Sequence, residues 1–197
     1  SLALALRHTQ LRIALVESQA PHRPDGWDAR VYAISPANAA FLDGIGAWKH
    51  LDVDRLTPIR GMQIFGDAGG KLDFSAYDTG VSELGWILES SQMACEFWES
   101  AKRQSNFTLF CPARPQALSF TPDAALLELV SGEMLSAPLL VGADGRDSWV
   151  RNAAGLSALN TPYDGNTVPG QGQVGEHTVV AEPLVGNLAM RLLGCKV

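Results

Sequence analysis

The sequence predicts an α/β chain in which a parallel, helix-covered sheet is interleaved with an antiparallel β region. Three observations carry that expectation. Arg12-Ile13-Ala14-Leu15-Val16 is a continuous apolar run following the helix-like Leu2-Ala3-Leu4-Ala5-Leu6, the pattern of a strand buried on both faces. Met62-Gln63-Ile64-Phe65 and Lys71-Leu72-Asp73-Phe74 alternate in period two across Asp67-Ala68-Gly69-Gly70, which reads as a hairpin. Leu139-Leu140-Val141 is another short apolar strand, and it runs directly into Gly142-Ala143-Asp144-Gly145.

The remaining elements follow in order. His8-Thr9-Gln10 breaks the first helix, and a polar loop runs from Ser18 to Asp28. A strand over Arg30 to Ile34 leads into a helix with Ser35 as N-cap, Pro36 at its first position, and Gly44 and Gly46 to close it. Ser90 or Ser91 is expected to cap a second helix carrying Met93, Ala94, Phe97, Trp98 and Ala101 on one stripe. Glu99 and Arg103 stand at i,i+4 on it, the spacing of an ion pair. Four further strands are expected at Phe107 to Cys111, Ala117 to Phe120, Leu126 to Val130 and Glu133 to Ala137, the last two joined at Ser131-Gly132. A helix begins near Ser148. From Asn152 to Met190 there is no Lys or Arg, and Gly and small polar residues are frequent; residues 160 to 183 bury too little apolar surface to offset about 1–2 kcal/mol per residue of ordering entropy and are expected to be loosely structured.

Composition narrows the function. The 197 residues are 46% hydrophobic and 18% charged, enough for a real core. A net charge of -6, a pI near 5.1 and no Lys/Arg run argue against nucleic acid or an anionic membrane surface as the main partner. The widely spaced Cys95, Cys111 and Cys195 make neither a disulfide framework nor a metal knuckle, so a reducing cytoplasm is the expected compartment. The four His are scattered without metal-ligand spacing, and no metal is expected. No apolar run approaches the roughly 20 residues of a membrane span. The start, Ser-Leu-Ala-Leu-Ala-Leu-Arg, lacks both an initiator Met and a signal-peptide layout, and reads as a chain entered part-way.

Two stretches carry candidate chemistry. In a dinucleotide-binding βαβ unit, a Gly-rich turn offers backbone N–H groups to a pyrophosphate, and an acid about 20 residues on accepts from a ribose hydroxyl. Glu17, at the end of the first apolar strand, suits that acid, with the glycine turn expected before Ser1; a solvated strand-end residue is the competing reading. The second stretch is Val141-Gly142-Ala143-Asp144-Gly145-Arg146-Asp147-Ser148-Trp149-Val150-Arg151. Its glycines let backbone approach a phosphate closely. Asp144 suits a sugar hydroxyl, and Arg151 suits a phosphate or a brace on Asp144; an ordinary strand–turn–helix corner is the competing reading.

That eleven-residue string resembles the "DG" motif of the class A flavoprotein hydroxylases, the group that includes p-hydroxybenzoate hydroxylase. Leu11 to Glu17, Ala29 to Ser35 with Gly46-Ala47-Trp48, and Leu84 to Ser90 narrow the resemblance to the ubiquinone-biosynthesis aromatic hydroxylases. The resemblance covers roughly residues 1 to 157, with the chain truncated at both ends. It implies an FAD/NAD(P)-binding Rossmann-like domain interleaved with an antiparallel β-sheet substrate-side region. By position, it implies cofactor-binding roles for Glu17 (FAD adenosine ribose), Arg30 (FAD phosphate or flavin), Asp144 and Gly145 (FAD and NAD(P)H use), Arg151 (closing that motif) and Glu89 (start of the helix passing the flavin). The implied domains are residues 1–56, a partial FAD-binding βαβ region; 57–137, a substrate-side β region with one FAD-domain helix at about 90–103; 138–157, a return to the FAD-binding domain; and 158–197, an atypical, disordered tail.

The implied enzyme is an FAD-dependent, NAD(P)H- and oxygen-using monooxygenase hydroxylating the ring of a polyprenyl phenol. The cofactor does the chemistry, so no catalytic side chain is assigned. A peripheral membrane or biosynthetic-complex association is a further expectation. The family's third, Gly-Asp-type flavin turn has no full counterpart; Pro169 to Gln173 and Pro183 to Gly194 are only faintly similar to what surrounds it. A catalytically inactive fragment with weak flavin retention and a non-flavin dinucleotide-binding domain are the alternatives.

Overall fold

A computed structural model describes residues 1–65 and 69–157 of the chain. Two compact units divide it, the first Ser1–Pro112 and the second beginning at Ala113. The expectations for residues 158–197 lie outside the described residues, as do Asp67 and Ala68 of the hairpin turn.

The first unit runs α1 (Leu2–Ala5), β1 (Ile13–Val16), β2 (Val31–Ile34), α2 (Pro36–Gly44), β3 (Thr57–Ile59), β4 (Gly61–Phe65), β5 (Lys71–Ser75), α3 (Ala76–Thr79), β6 (Gly85–Glu89), α4 (Ser90–Lys102) and β7 (Phe107–Phe110). Single 3₁₀ turns sit at Trp48–His50 and Val53–Arg55. β1 pairs in parallel with β7, Ile13 opposite Phe107 and Val16 opposite Phe110. A second sheet is antiparallel in the order β2-β6-β3, with Val31 opposite Glu89. Ile34, Leu42, Leu88, Met93 and Phe97 form the heart of the core. Met93, Phe97 and Ala101 face it from α4 at i, i+4 and i+8, the stripe the sequence predicts.

The hairpin forms as expected, with Met62 opposite Phe74 and Ile64 opposite Leu72. These four side chains share one face and are all exposed. The helix punctuation of α2 is also as read: the Ser35 hydroxyl accepts from the Asn38 N–H at 3.3 Å, and Pro36 opens the helix. Closure falls to Gly46, at φ 73°, rather than to Gly44. A side chain at Gly46 would also collide with Arg7, whose Nη1 would lie 2.8 Å from its Cβ.

Two expectations for α4 need correction. Neither serine caps it. Ser90 is its first residue, and the N–H of Ser91 donates at 2.9 Å to a carboxylate oxygen of Asp28, a residue remote in sequence. The ionised acceptor supplies what the serine hydroxyls would have offered. The Glu99–Arg103 pair does not form either. Arg103 ends the helix and its guanidinium lies along the row of Ser100 and Glu96, at 2.9 and 3.5 Å, while Glu99 pairs with Lys102 at 2.9 Å.

The second unit is an antiparallel meander of β8 (Pro115–Phe120), β9 (Ala125–Leu129) and β10 (Met134–Ala137), followed by α5 (Trp149–Ala153), which packs on β8. β9 is central and buries Ala125, Leu127 and Leu129 on alternate positions. Gly132 turns β9 into β10 at φ 85°. The predicted strand at Leu139 to Val141 is not one: no described strand offers it a ladder of hydrogen bonds, and an apolar run without a paired neighbour stays irregular. Among the described residues, no helix is long and apolar enough to cross a membrane.

Gly85 is buried where a Cβ would fall 2.6 Å from the Ile34 carbonyl oxygen. Gly85→Ala is therefore expected to cost about 1–3 kcal/mol by overpacking, measured as a lower urea midpoint. Gly26→Ala, with nothing within 4 Å of the added carbon, is the control and should move stability by less than about 0.5 kcal/mol.

Candidate functional site

Glu17 follows β1, and its N–H continues the ladder to the Phe110 carbonyl at 3.0 Å. The strand therefore delivers an exposed carboxylate at its C-terminal tip, the end where open α/β sheets bind ligands. One oxygen, Oε1, accepts from the N–H groups of Ser18 and Gln19 at 2.7 and 3.3 Å. The other has no protein donor among the described residues, so it can accept from a sugar hydroxyl without breaking a bond.

Arg30 is exposed immediately before β2, and among the described residues its guanidinium makes no hydrogen bond or ion pair. Its backbone is held on both sides. The Arg30 N–H donates to Asp28 Oδ1 at 2.9 Å, and its carbonyl accepts from the Ser90 N–H at 2.9 Å. The other Asp28 oxygen accepts from the Ser91 N–H at 2.9 Å, so Asp28 bridges the loop and the first turn of α4, and the Arg30 and Ser91 N–H donors hold its carboxyl below the usual carboxylate range.

Glu89 is placed differently from the role the resemblance implies. Its side chain is 4% exposed and both oxygens are taken. Arg55 donates Nε to Oε1 at 2.9 Å and Nη2 to Oε2 at 2.7 Å, a two-point pair, while the Asp28 N–H reaches Oε2 at 3.2 Å. The same Nη2 also donates to the Gly26 carbonyl at 2.8 Å, and the guanidinium stacks 4.7 Å from the centre of the exposed Trp27 ring. Gln92, buried in the first turn of α4, accepts from the Asp52 N–H at 2.8 Å and so anchors the 3₁₀ turn that carries Arg55. Sequence reading missed Arg55 and Asp28. The only local signal was an arginine inside a helical turn of three residues.

In the second unit, Asp144 is occupied by its own corner. One oxygen accepts from the Ser148 hydroxyl and the other from the Val150 N–H at 2.9 Å, while the Ser148 hydroxyl accepts from the Arg151 N–H at 3.0 Å. Asp144 and the buried Ser148 together cap α5. Arg151 does not brace Asp144; its Nη2 donates to the Arg146 carbonyl at 2.6 Å, a nearer acceptor on the same corner. Gly145 takes φ 92°, and a Cβ at Gly142 would lie 2.9 Å from Val150 Cγ1. The N–H groups from Ala143 to Asp147 have no protein acceptor among the described residues, so the turn presents unused backbone donors.

Other groups show no comparable arrangement. Arg7, Lys49, His50 and Arg103 line one small cleft, in which Arg7 donates to the Ile45 carbonyl at 2.6 Å just past α2 and Arg103 ends α4. Cys95 is half-buried, which pushes its thiol up from the usual value. Among the described residues no cluster of His, Cys, Asp or Glu is arranged to hold a metal.

Because the carboxyl of Asp28 titrates below its unfolded value, its contribution is present above about pH 4 and is lost as pH falls through the lowered value. Asp28→Asn should cost about 1–2 kcal/mol at neutral pH and flatten the acid limb of the stability profile. Urea titrations of both proteins between neutral pH and pH 2.5 test this.

No family model matches the sequence. Curated relatives do. The chain is 31% identical to 3-demethoxyubiquinol 3-hydroxylase of Escherichia coli (strain K12) over 166 residues, 83% of this chain and 42% of that protein. It is 30% identical to a ubiquinone hydroxylase of Rhodospirillum rubrum, covering 83% of this chain and 38% of that one. It is 28% identical to the mitochondrial ubiquinone biosynthesis monooxygenase COQ6 of Xenopus tropicalis, covering 81% and 36%. The chain thus spans about two-fifths of the length of these relatives. Solved structures agree on the fold: a probable FAD-dependent monooxygenase of Pseudomonas aeruginosa matches with a TM-score of 0.63 at 21% identity, over 82% of this chain and 44% of that one. The p-nitrophenol 4-monooxygenase of Pseudomonas putida matches with a TM-score of 0.62 at 21% identity, over 79% and 40%. Sequence and fold thus agree: over about four-fifths of its own length the chain is similar to ubiquinone-biosynthesis hydroxylases, and it shares the fold of FAD-dependent monooxygenases.

Proposed function

We propose that this chain provides part of the FAD-binding region of an NAD(P)H- and oxygen-dependent monooxygenase that hydroxylates the aromatic ring of a polyprenyl phenol on the way to ubiquinone. The observation that carries the reading is Glu17: a strand-end carboxylate with one oxygen held by backbone N–H groups and the other open. Each unit, taken by itself, carries groups that fit: in the first, Glu17 would accept from the adenosine ribose and Arg30 has an uncommitted guanidinium for a phosphate or the flavin; in the second, the turn around Gly145 has backbone N–H groups that suit negative oxygen. Arg151 holds that turn through the Arg146 carbonyl. Asp144 and Glu89 fit a supporting role, since both oxygens of each already serve the protein. The division into residues 1–56, 57–137, 138–157 and 158–197 is part of the same proposal.

The flavin, when bound and reduced, supplies the activation of oxygen and its transfer to the ring. The chain's own residues bind and orient. That matches a site without an acid–base dyad among the described residues. A polyprenyl phenol is extremely apolar, so contact with a membrane surface or with neighbouring enzymes would follow from the substrate, at the cytoplasmic side in a bacterium.

The experiment is a fluorescence titration of the whole chain with FAD. Saturable quenching is expected, weakened about tenfold by Glu17→Ala, which corresponds to about 1.4 kcal/mol. Wild type and Glu17→Ala that cannot be told apart would refute the assignment. Saturable binding of NADH without any binding of FAD would favour a non-flavin dinucleotide-binding domain, and binding of neither would leave a catalytically inactive fragment.

A further inference from the structure

The Arg55–Glu89 pair is more than a surface bridge. Glu89 is buried at the junction of β6 and α4, and burying a carboxylate is tolerated only with a closely held counter-charge. Arg55 supplies it at two points and then uses the same guanidinium on the Gly26 carbonyl and the Trp27 ring. The third bond to Glu89 comes from the Asp28 N–H, and the Asp28 carboxylate in turn takes the N–H groups of Arg30 and Ser91. Apart from the Arg55–Glu89 pair itself, every contact in this chain of bonds has one end on the segment from Gly26 to Arg30. That segment has no strand or helix of its own up to Val31, and few other bonds to hold it.

We infer that Arg55, Glu89 and Asp28 are positioning residues: a latch that fixes the Gly26–Arg30 segment against the first turn of α4 and thereby aims the Arg30 guanidinium into the cofactor site. The inference rests on the flavin reading of Arg30 given above. It assigns Arg55 and Asp28 a role that charge or spacing alone does not suggest, and it moves Glu89 from contact with cofactor to support of a residue that makes the contact. Arg30 is long and flexible; fixing its backbone at both N–H and carbonyl leaves only side-chain freedom to be lost when its head group meets an anion.

The test combines amide hydrogen exchange on the whole chain with FAD titration. In Arg55→Ala the amides of Asp28, Arg30 and Ser91 should exchange at least tenfold faster, while those of Phe107–Phe110 and Ala125–Leu129 keep their wild-type rates. FAD affinity should fall about tenfold in the same protein. Arg55→Lys keeps one charged contact and should restore part of both, which guards against a variant that merely folds poorly; Glu89→Gln, which keeps the acceptor for the Asp28 N–H but loses the charge, should fall between. Arg30→Ala should weaken FAD as much as Arg55→Ala yet leave the Asp28 and Ser91 amides protected. Unchanged exchange at these amides in Arg55→Ala overturns the latch, as does a loss of protection spread evenly over the first unit. Faster local exchange with unchanged FAD affinity overturns the positioning role. If the wild-type chain binds no FAD, the flavin reading of Arg30 fails and the aiming of that residue fails with it; the exchange data still decide the latch alone.

Discussion

A buried carboxylate that must be neutralised organises the first unit. Glu89 sits where the central strand β6 turns into α4, and leaving it unpaired there would be strongly destabilising, on the order of 3–5 kcal/mol. The requirement recruits Arg55 from a neighbouring 3₁₀ turn, and Arg55 then has donors left over for Gly26 and Trp27. A need of the core is thereby transmitted to a surface loop. The loop repays the connection by capping the helix that Glu89 begins, through Asp28 and the Ser91 N–H.

What could be read from the sequence was what is local. Ser35-Pro36, the alternating hairpin, the Gly132 turn and the Met93–Phe97–Ala101 stripe all signal through neighbours a few residues apart, and all form. The α4 cap was missed because its acceptor lies 63 residues away, a separation at which propensity carries no information. The same limit applies to Arg55, whose partner is 34 residues off. Leu139 to Val141 failed for the complementary reason: a buried-strand pattern states what a segment would do beside a partner, and among the described residues none stands there. Of the candidate site, the positions of Glu17 and of the turn at Gly145 were legible from the motif. The division of labour was not, because whether a carboxylate faces a ligand or a neighbouring N–H depends on side-chain partners that spacing does not reveal.

That division separates two kinds of acid. Glu17 keeps an oxygen open at a strand tip, whereas Asp144 and Glu89 spend both of theirs on the protein. An acid matched by motif is therefore not by that fact a ligand. Asp144 shapes the turn whose backbone can do the contacting, and its capping partner Ser148 is fully enclosed, which explains why the corner combines a carboxylate with a serine four residues on.

The same corner has a consequence for how it would receive a guest. Gly142, Asp144, Ser148, Val150 and Arg151 contact one another within ten residues, so much of the corner's shape is set locally, with α5 packed on β8 behind it. On the proposed function, a phosphate arriving there would meet backbone N–H groups already held in place, so less of its binding free energy would be lost to ordering the chain. Such a corner is also portable: cut out and grafted ahead of another helix, it carries its local hydrogen bonds with it.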